Sequence, residues 1–164
     1  MAQKDVLLPE FNQEAATTRL LLERIPAKSA GWRPHPKSAS LGNLAVHVAN
    51  LASWLGLSLT TTELDLAVAP PPAPFTTTEA LLATFDANVA GSRAALAAAA
   101  DADYAVPWSL KSGEQVFLTL PRAVIVRSFA LSHLIHHRAQ LGVYLRLLDV
   151  PLPPSYGPTA DTWM

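Results

Sequence analysis

Cysteine is absent from all 164 residues, which excludes disulfides, cysteinate zinc sites, iron–sulfur clusters and a protein-borne thiol nucleophile. Any metal must therefore sit on histidine, aspartate or glutamate. Charge is also sparse, with 12 Lys and Arg against 13 Asp and Glu and a formal net charge of -1. A chain so balanced, with no long basic run, has no electrostatic footprint for a phosphate backbone or an anionic membrane surface, so no nucleic acid is expected as partner. The first 25 residues lack the apolar h-region of a signal peptide, and a cytoplasmic location is the expectation.

A membrane span is the one long-run possibility to weigh. Residues 38–62 contain no Asp, Glu, Lys or Arg and are about long enough to cross a bilayer. Asn43, His47, Asn50, Ser53 and Ser58 would each need a partner in hydrocarbon, and no second span supplies one. A buried helix and no membrane is the reading.

Half of the residues are hydrophobic, enough for one compact core and too few for two, so residues 1–164 read as a single domain. Residues 5–25 carry a helical apolar pattern that Pro26 ends, and Ser40 can cap a second helix whose Leu41, Leu44, Val48, Leu51, Leu55 and Leu59 form a buried stripe. Between them Gly31-Trp32-Arg33-Pro34-His35-Pro36 makes a shaped loop. Residues 63–76, with Pro70, Pro71, Pro72 and Pro74, read as a stiff crossover connection. Thr76-Thr77-Thr78-Glu79 has capping-box spacing and opens a third helix that runs to Ala100. Residues 101–120 lose the pattern, and Lys111-Ser112-Gly113-Glu114 can turn a short hairpin. From Pro121 a fourth helix extends to Leu148, followed by a proline-rich tail that packs as a strap or stays mobile. The expected class is all-α: a four-helix up-and-down bundle with a long crossover connection and one possible hairpin before the last helix.

Five histidines remain to be explained. His133 and His137 stand four apart, so their imidazoles leave one helix face a turn apart and can share an ion. That spacing is common on its own. Here it falls among Val126, Phe129, Ala130, Leu141 and Tyr144, where burial favours the neutral form that also ligates metal. His47, on a helix with no other ionisable residue, reads either as a core histidine bonded to a carbonyl or as a third ligand. His136 points about 60° off His133, and His35 lies in the proline loop. Asn43 and Asn50 read as a polar flank or as contacts of a ligand, Gln140 as able to orient a ligand or a water, and Tyr144 as core. A zincin is ruled out because Leu134 stands where H-E-x-x-H needs glutamate. A diiron carboxylate site is ruled out because neither His47 nor His133 has Glu three residues before it.

Taken together, Trp32-Arg33-Pro34, Ser38, Ser40, the run Leu41-Gly42-Asn43-Leu44-Ala45-Val46-His47, the run His133-Leu134-Ile135-His136-His137-Arg138-Ala139-Gln140-Leu141 and Tyr144-Leu145-Arg146-Leu147-Leu148 resemble the DinB/YfiT-like superfamily. The resemblance implies a four-helix bundle with His47, His133 and His137 as ligands of one divalent ion: zinc, nickel or iron. It also implies metal-dependent chemistry with a low-molecular-weight thiol on small electrophiles, or less directly hydrolysis. The alternative is a non-catalytic module, structural or ligand-sensing, in which Asp86 or Glu114 could complete the coordination. A homodimer through exposed bundle faces fits either reading.

Overall fold

A computed structural model describes residues 1–162. Helix α1 spans Gln3–Leu22 and turns Leu7, Phe11, Ala15, Leu21 and Leu22 inward. Helix α2 spans Leu41–Thr60, and the Ser40 hydroxyl accepts from the Asn43 N–H at 3.3 Å to cap it as expected. Helix α3 spans Thr78–Ala98. Its cap is Thr77 rather than Thr76, accepting from the Ala80 N–H at 3.1 Å, and with alanine at the third helical position the anticipated box does not form. The last helix, α4, is one rod in three parts: a turn at Arg122–Val124, a π-helical stretch at Ile125–Leu131 and a regular α-helix at Ser132–Leu147. In the bundle α2 lies against α3 and α4, and α1 against both of the same helices.

The α2–α3 seam is close because its residues are small. The Ser92 hydroxyl donates to the Ala52 carbonyl at 2.6 Å and accepts from the Gly56 N–H at 3.0 Å, bridging a carbonyl and amide four residues apart in α2. A β-carbon on Gly56 would sit 2.9 Å from the Ser92 Cα. Backbone cannot yield as a long side chain can, so Gly56→Ala should cost about 1–3 kcal/mol of stability. Urea denaturation checks this, and an unchanged midpoint would show that the helices part freely.

The all-α expectation is wrong in one respect. Strands β1 (Glu63–Asp65), β2 (Pro107–Ser112) and β3 (Gln115–Pro121) form a three-stranded mixed sheet in that order, β1 parallel to β2 and β2 antiparallel to β3. The hairpin half of the sheet has its local signal, with Gly113 at φ +59° in the turn. The parallel half has none. Glu63 pairs with Ser109 across the whole of α3, and a three-residue strand at the head of a proline-rich connection shows no alternation to read. Lys111 fixes the pairing by bonding Glu63 at 2.7 Å. Trp108, Leu110 and Ile125, flanked by Leu64, Leu118 and Phe129, bind the sheet to the bundle end.

The tail is a strap. Asp161 accepts from the Leu152 N–H at 2.8 Å and meets the Arg146 guanidinium at 2.5 Å, while the Tyr156 hydroxyl reaches the Glu14 carboxylate on α1 at 3.0 Å. Among the described residues no helix is long and apolar enough to cross a membrane.

Candidate metal centre

Helix α2 offers His47 and the regular part of α4 offers His133 and His137. Two packed helices thus aim three imidazoles at one point, where one ring nitrogen from each lies within 4.8 Å of the others. Ring centroids stand 5.2 Å apart for His47–His133, 4.5 Å for His47–His137 and 4.7 Å for His133–His137. One ion with metal–nitrogen bonds of about 2.0–2.1 Å can bridge such a span after small ring rotations.

Burial sets the protonation state. It is the largest cause of a lowered pKa at His47, brought down to about 4, with His137 and then His133 adding repulsion. Burial likewise leads the lowering at His133, followed by His137 and His136, with the Phe129 backbone opposing it. No side chain among the described residues bonds the buried His133 Nδ1. Both imidazoles are therefore neutral near pH 7, the form in which histidine donates a lone pair to a metal.

A pH dependence follows. An unfolded histidine takes up a proton near 6.5, but folded His47 does so only near 4. Between those values the unfolded chain binds a proton that the folded site refuses, so His47 should make the metal-free protein lose stability as pH falls below 6.5, a contribution complete by about 4. His47→Gln should flatten the part of this decline between about pH 6.5 and 5, above the ordinary carboxylate range. Thermal midpoints of both proteins across that interval test it, and equal slopes would contradict it.

The surroundings differ on two sides. Trp54 stacks on Phe129 at 5.1 Å and meets His133 edge-on at 5.5 Å, while Phe129 lies 5.7 Å from His133, making an aromatic wall. The π-helical stretch ends two residues before His133, and such widened turns often accompany functional sites. On the other side a cleft of about 470 Å³ opens between α2 and α4, bordered by Asn43, His47, His137, Gln140 and Tyr144. The Tyr144 hydroxyl donates to the Ala39 carbonyl at 3.3 Å and its ring meets Trp32 edge-on at 5.7 Å, so the Trp32-Arg33-Pro34 loop backs this wall.

The remaining candidates are placed elsewhere. His136 is exposed and turned off the shared point, though its ring lies 4.8 Å from that of His137. His35 stays in its loop, where Nδ1 accepts from the Lys37 N–H at 3.1 Å. Asn50 donates to the Val46 carbonyl at 2.8 Å and is the polar flank of α2. Neither Asp86 nor Glu114 joins the converging donors among the described residues. Asp86 instead holds Arg19 at 2.9 and 3.0 Å, and Glu114 lies in the hairpin turn.

Sequence reasoning gave Arg138 no role, yet it makes the buried ion pair of the fold, 2.5 Å from Glu14 with both side chains nearly inaccessible. The signal was available. Arg138 falls four residues after Leu134 and three before Leu141, both buried, so it points inward beside the ligand His137.

Comparison with known proteins places the fold in a family. The DinB superfamily matches residues 10–141. A DinB-like protein from Bacillus cereus superposes with a TM-score of 0.70 at 17% identity, covering 90% of this chain and 94% of that one. A DinB-like protein from Bacillus subtilis gives 0.72 at 16% identity, with 92% and 96% covered. At such identities the likeness speaks for the fold alone. Comparison with curated proteins gives no significant match.

Proposed function

Because the chain belongs to the DinB superfamily and carries three convergent imidazoles, we propose that His47, His133 and His137 hold one divalent ion, zinc, nickel or iron, in a site that also admits a small molecule. The observation that carries this reading is the convergence itself: three imidazole donors from two helices with no fourth among the described residues. A structural zinc ordinarily has four protein ligands, whereas a site that works on a ligand keeps a position open. The cleft beside His47 and His137 leaves room for that position.

When bound, a divalent ion at such a site supplies Lewis acidity and lowers the pKa of a water or thiol it holds. The chain's own residues do the rest. Trp54 and Phe129 keep water from the His133 side, and Asn43, Gln140 and Tyr144 give the cleft its polar groups. The reaction we favour is transfer of a low-molecular-weight thiol to a small electrophile. The thiol proton passes to solvent, sulfur bonds to the electrophilic carbon and the leaving group departs with the bonding electrons. Metal-assisted hydrolysis is the second enzymatic reading, and a non-catalytic module that binds metal or a small ligand is the alternative. The setting we propose is cytoplasmic, without nucleic-acid partners and compatible with a homodimer.

Elemental analysis of protein purified without an affinity tag, followed by a turnover screen of several thiols against several electrophiles, separates these readings. One ion per chain with turnover that chelation abolishes is the expected result. Stoichiometric metal without turnover would leave the module, and no retained metal would remove the proposal.

A further inference from the structure

The group next to the ligands that the proposed function uses only as polar lining is an amide. Gln140 lies one turn after His136 and three residues after His137, at the mouth of the cleft. Its Oε1 is 2.7 Å from His137 Nδ1, and its Nε2 is 3.0 Å from His136 Nε2. An amide oxygen only accepts and an amide nitrogen only donates. The bond at His137 therefore requires a proton on Nδ1, and the bond at His136 requires a lone pair on Nε2. One hydrogen-bond pattern satisfies both. In this arrangement the exposed His136 takes up the amide nitrogen, and the oxygen faces His137.

From this geometry we infer that Gln140 is a positioning residue that fixes His137 as its Nδ1–H tautomer and leaves Nε2 as the atom that meets the metal. The inference rests on the proposed three-histidine site for its purpose but not for its test. An Nδ1–H anchored by an acceptor also stops the ring from turning, and outer partners of this kind commonly carry about 10- to 100-fold in metal affinity. His133 lacks a side-chain anchor of this kind, its buried Nδ1 meeting no side chain among the described residues. The aromatic wall of Trp54 and Phe129 holds that ring by contact instead.

The test uses the full chain. Long-range proton–nitrogen correlation spectra of the metal-free protein at neutral pH report which nitrogen of His137 carries the proton, independently of any metal. Wild type should show Nδ1–H, Gln140→Leu should move His137 toward Nε2–H, and Gln140→Glu, which keeps an acceptor oxygen, should retain Nδ1–H. Zinc titrations of the same three proteins should then show affinity about 10- to 100-fold lower for Gln140→Leu and within a few-fold of wild type for Gln140→Glu. Gln140 is exposed, so the fold should tolerate both changes. An Nε2–H tautomer in wild type, or identical behaviour of the Leu and Glu variants, would overturn the inference. If the tautomers behave as expected but wild type binds no zinc, the inference about His137 stands and the metal proposal fails.

Discussion

Replacing any one of His47, His133 or His137 with alanine should nearly abolish metal content. The three nitrogens act on one ion, and two neutral imidazoles hold a divalent cation far less well than three. Nothing near the site can take over the lost place: His136 is turned away, and no carboxylate joins the converging group among the described residues. His136→Ala should accordingly keep most of the metal. A chelator should empty the wild type, and so should acid, because protons and metal compete for the same lone pairs. With His47 protonating only near 4, release should extend below the ordinary histidine range instead of finishing at 6.5. Metal per chain, measured by mass spectrometry on wild type and the four variants, checks the set. Full metal content in all three ligand variants, or loss in His136→Ala alone, would make the cluster an ordinary group of buried histidines.

The second large effect concerns stability. Arg138 and Glu14 lie 2.5 Å apart, with side chains 5% and 7% exposed. Arg138 also donates to the Tyr156 hydroxyl at 2.9 Å, and Tyr156 donates to Glu14 at 3.0 Å, so α1, α4 and the tail meet at one buried charge pair. Removing the guanidinium strands a carboxylate away from water. Arg138→Ala should lose about 3–5 kcal/mol, whereas the double change Glu14→Leu with Arg138→Met, which leaves no charge behind, should recover much of it. Tyr156→Phe, which deletes only the bridging hydroxyl, should cost about 1 kcal/mol. Chemical denaturation at neutral pH measures all three. A loss under about 1 kcal/mol for Arg138→Ala would mean that water reaches Glu14 once the arginine is gone.

The parts of this architecture that were legible in the sequence are those where one short-range pattern carries one consequence. Leu41 to Leu59 at three- and four-residue steps gave α2 and put His47 on its inner margin. The four-residue step from His133 to His137 survives because both lie beyond the π-helical stretch, in regular helix. What could not be read depended on long-range partners. The parallel pairing of Glu63 with Ser109 joins residues on opposite sides of α3, and the strand holding Glu63 is too short to alternate. The widened turns at Ile125–Leu131 leave no distinct mark in a run of apolar residues that an α-helix would also bury. The spacing of Arg138 turns it inward, but its partner Glu14 sits on another helix among charges that look solvated, so the pair itself has no local mark.

X-ray absorption at the zinc edge of the zinc-loaded protein tests most directly whether three imidazoles share one ion. The expected result is three imidazole nitrogens at about 2.0–2.1 Å with the remaining coordination filled by oxygen or an added thiol. A first shell lacking imidazole scattering, or a spectrum unchanged in His47→Ala, would contradict it.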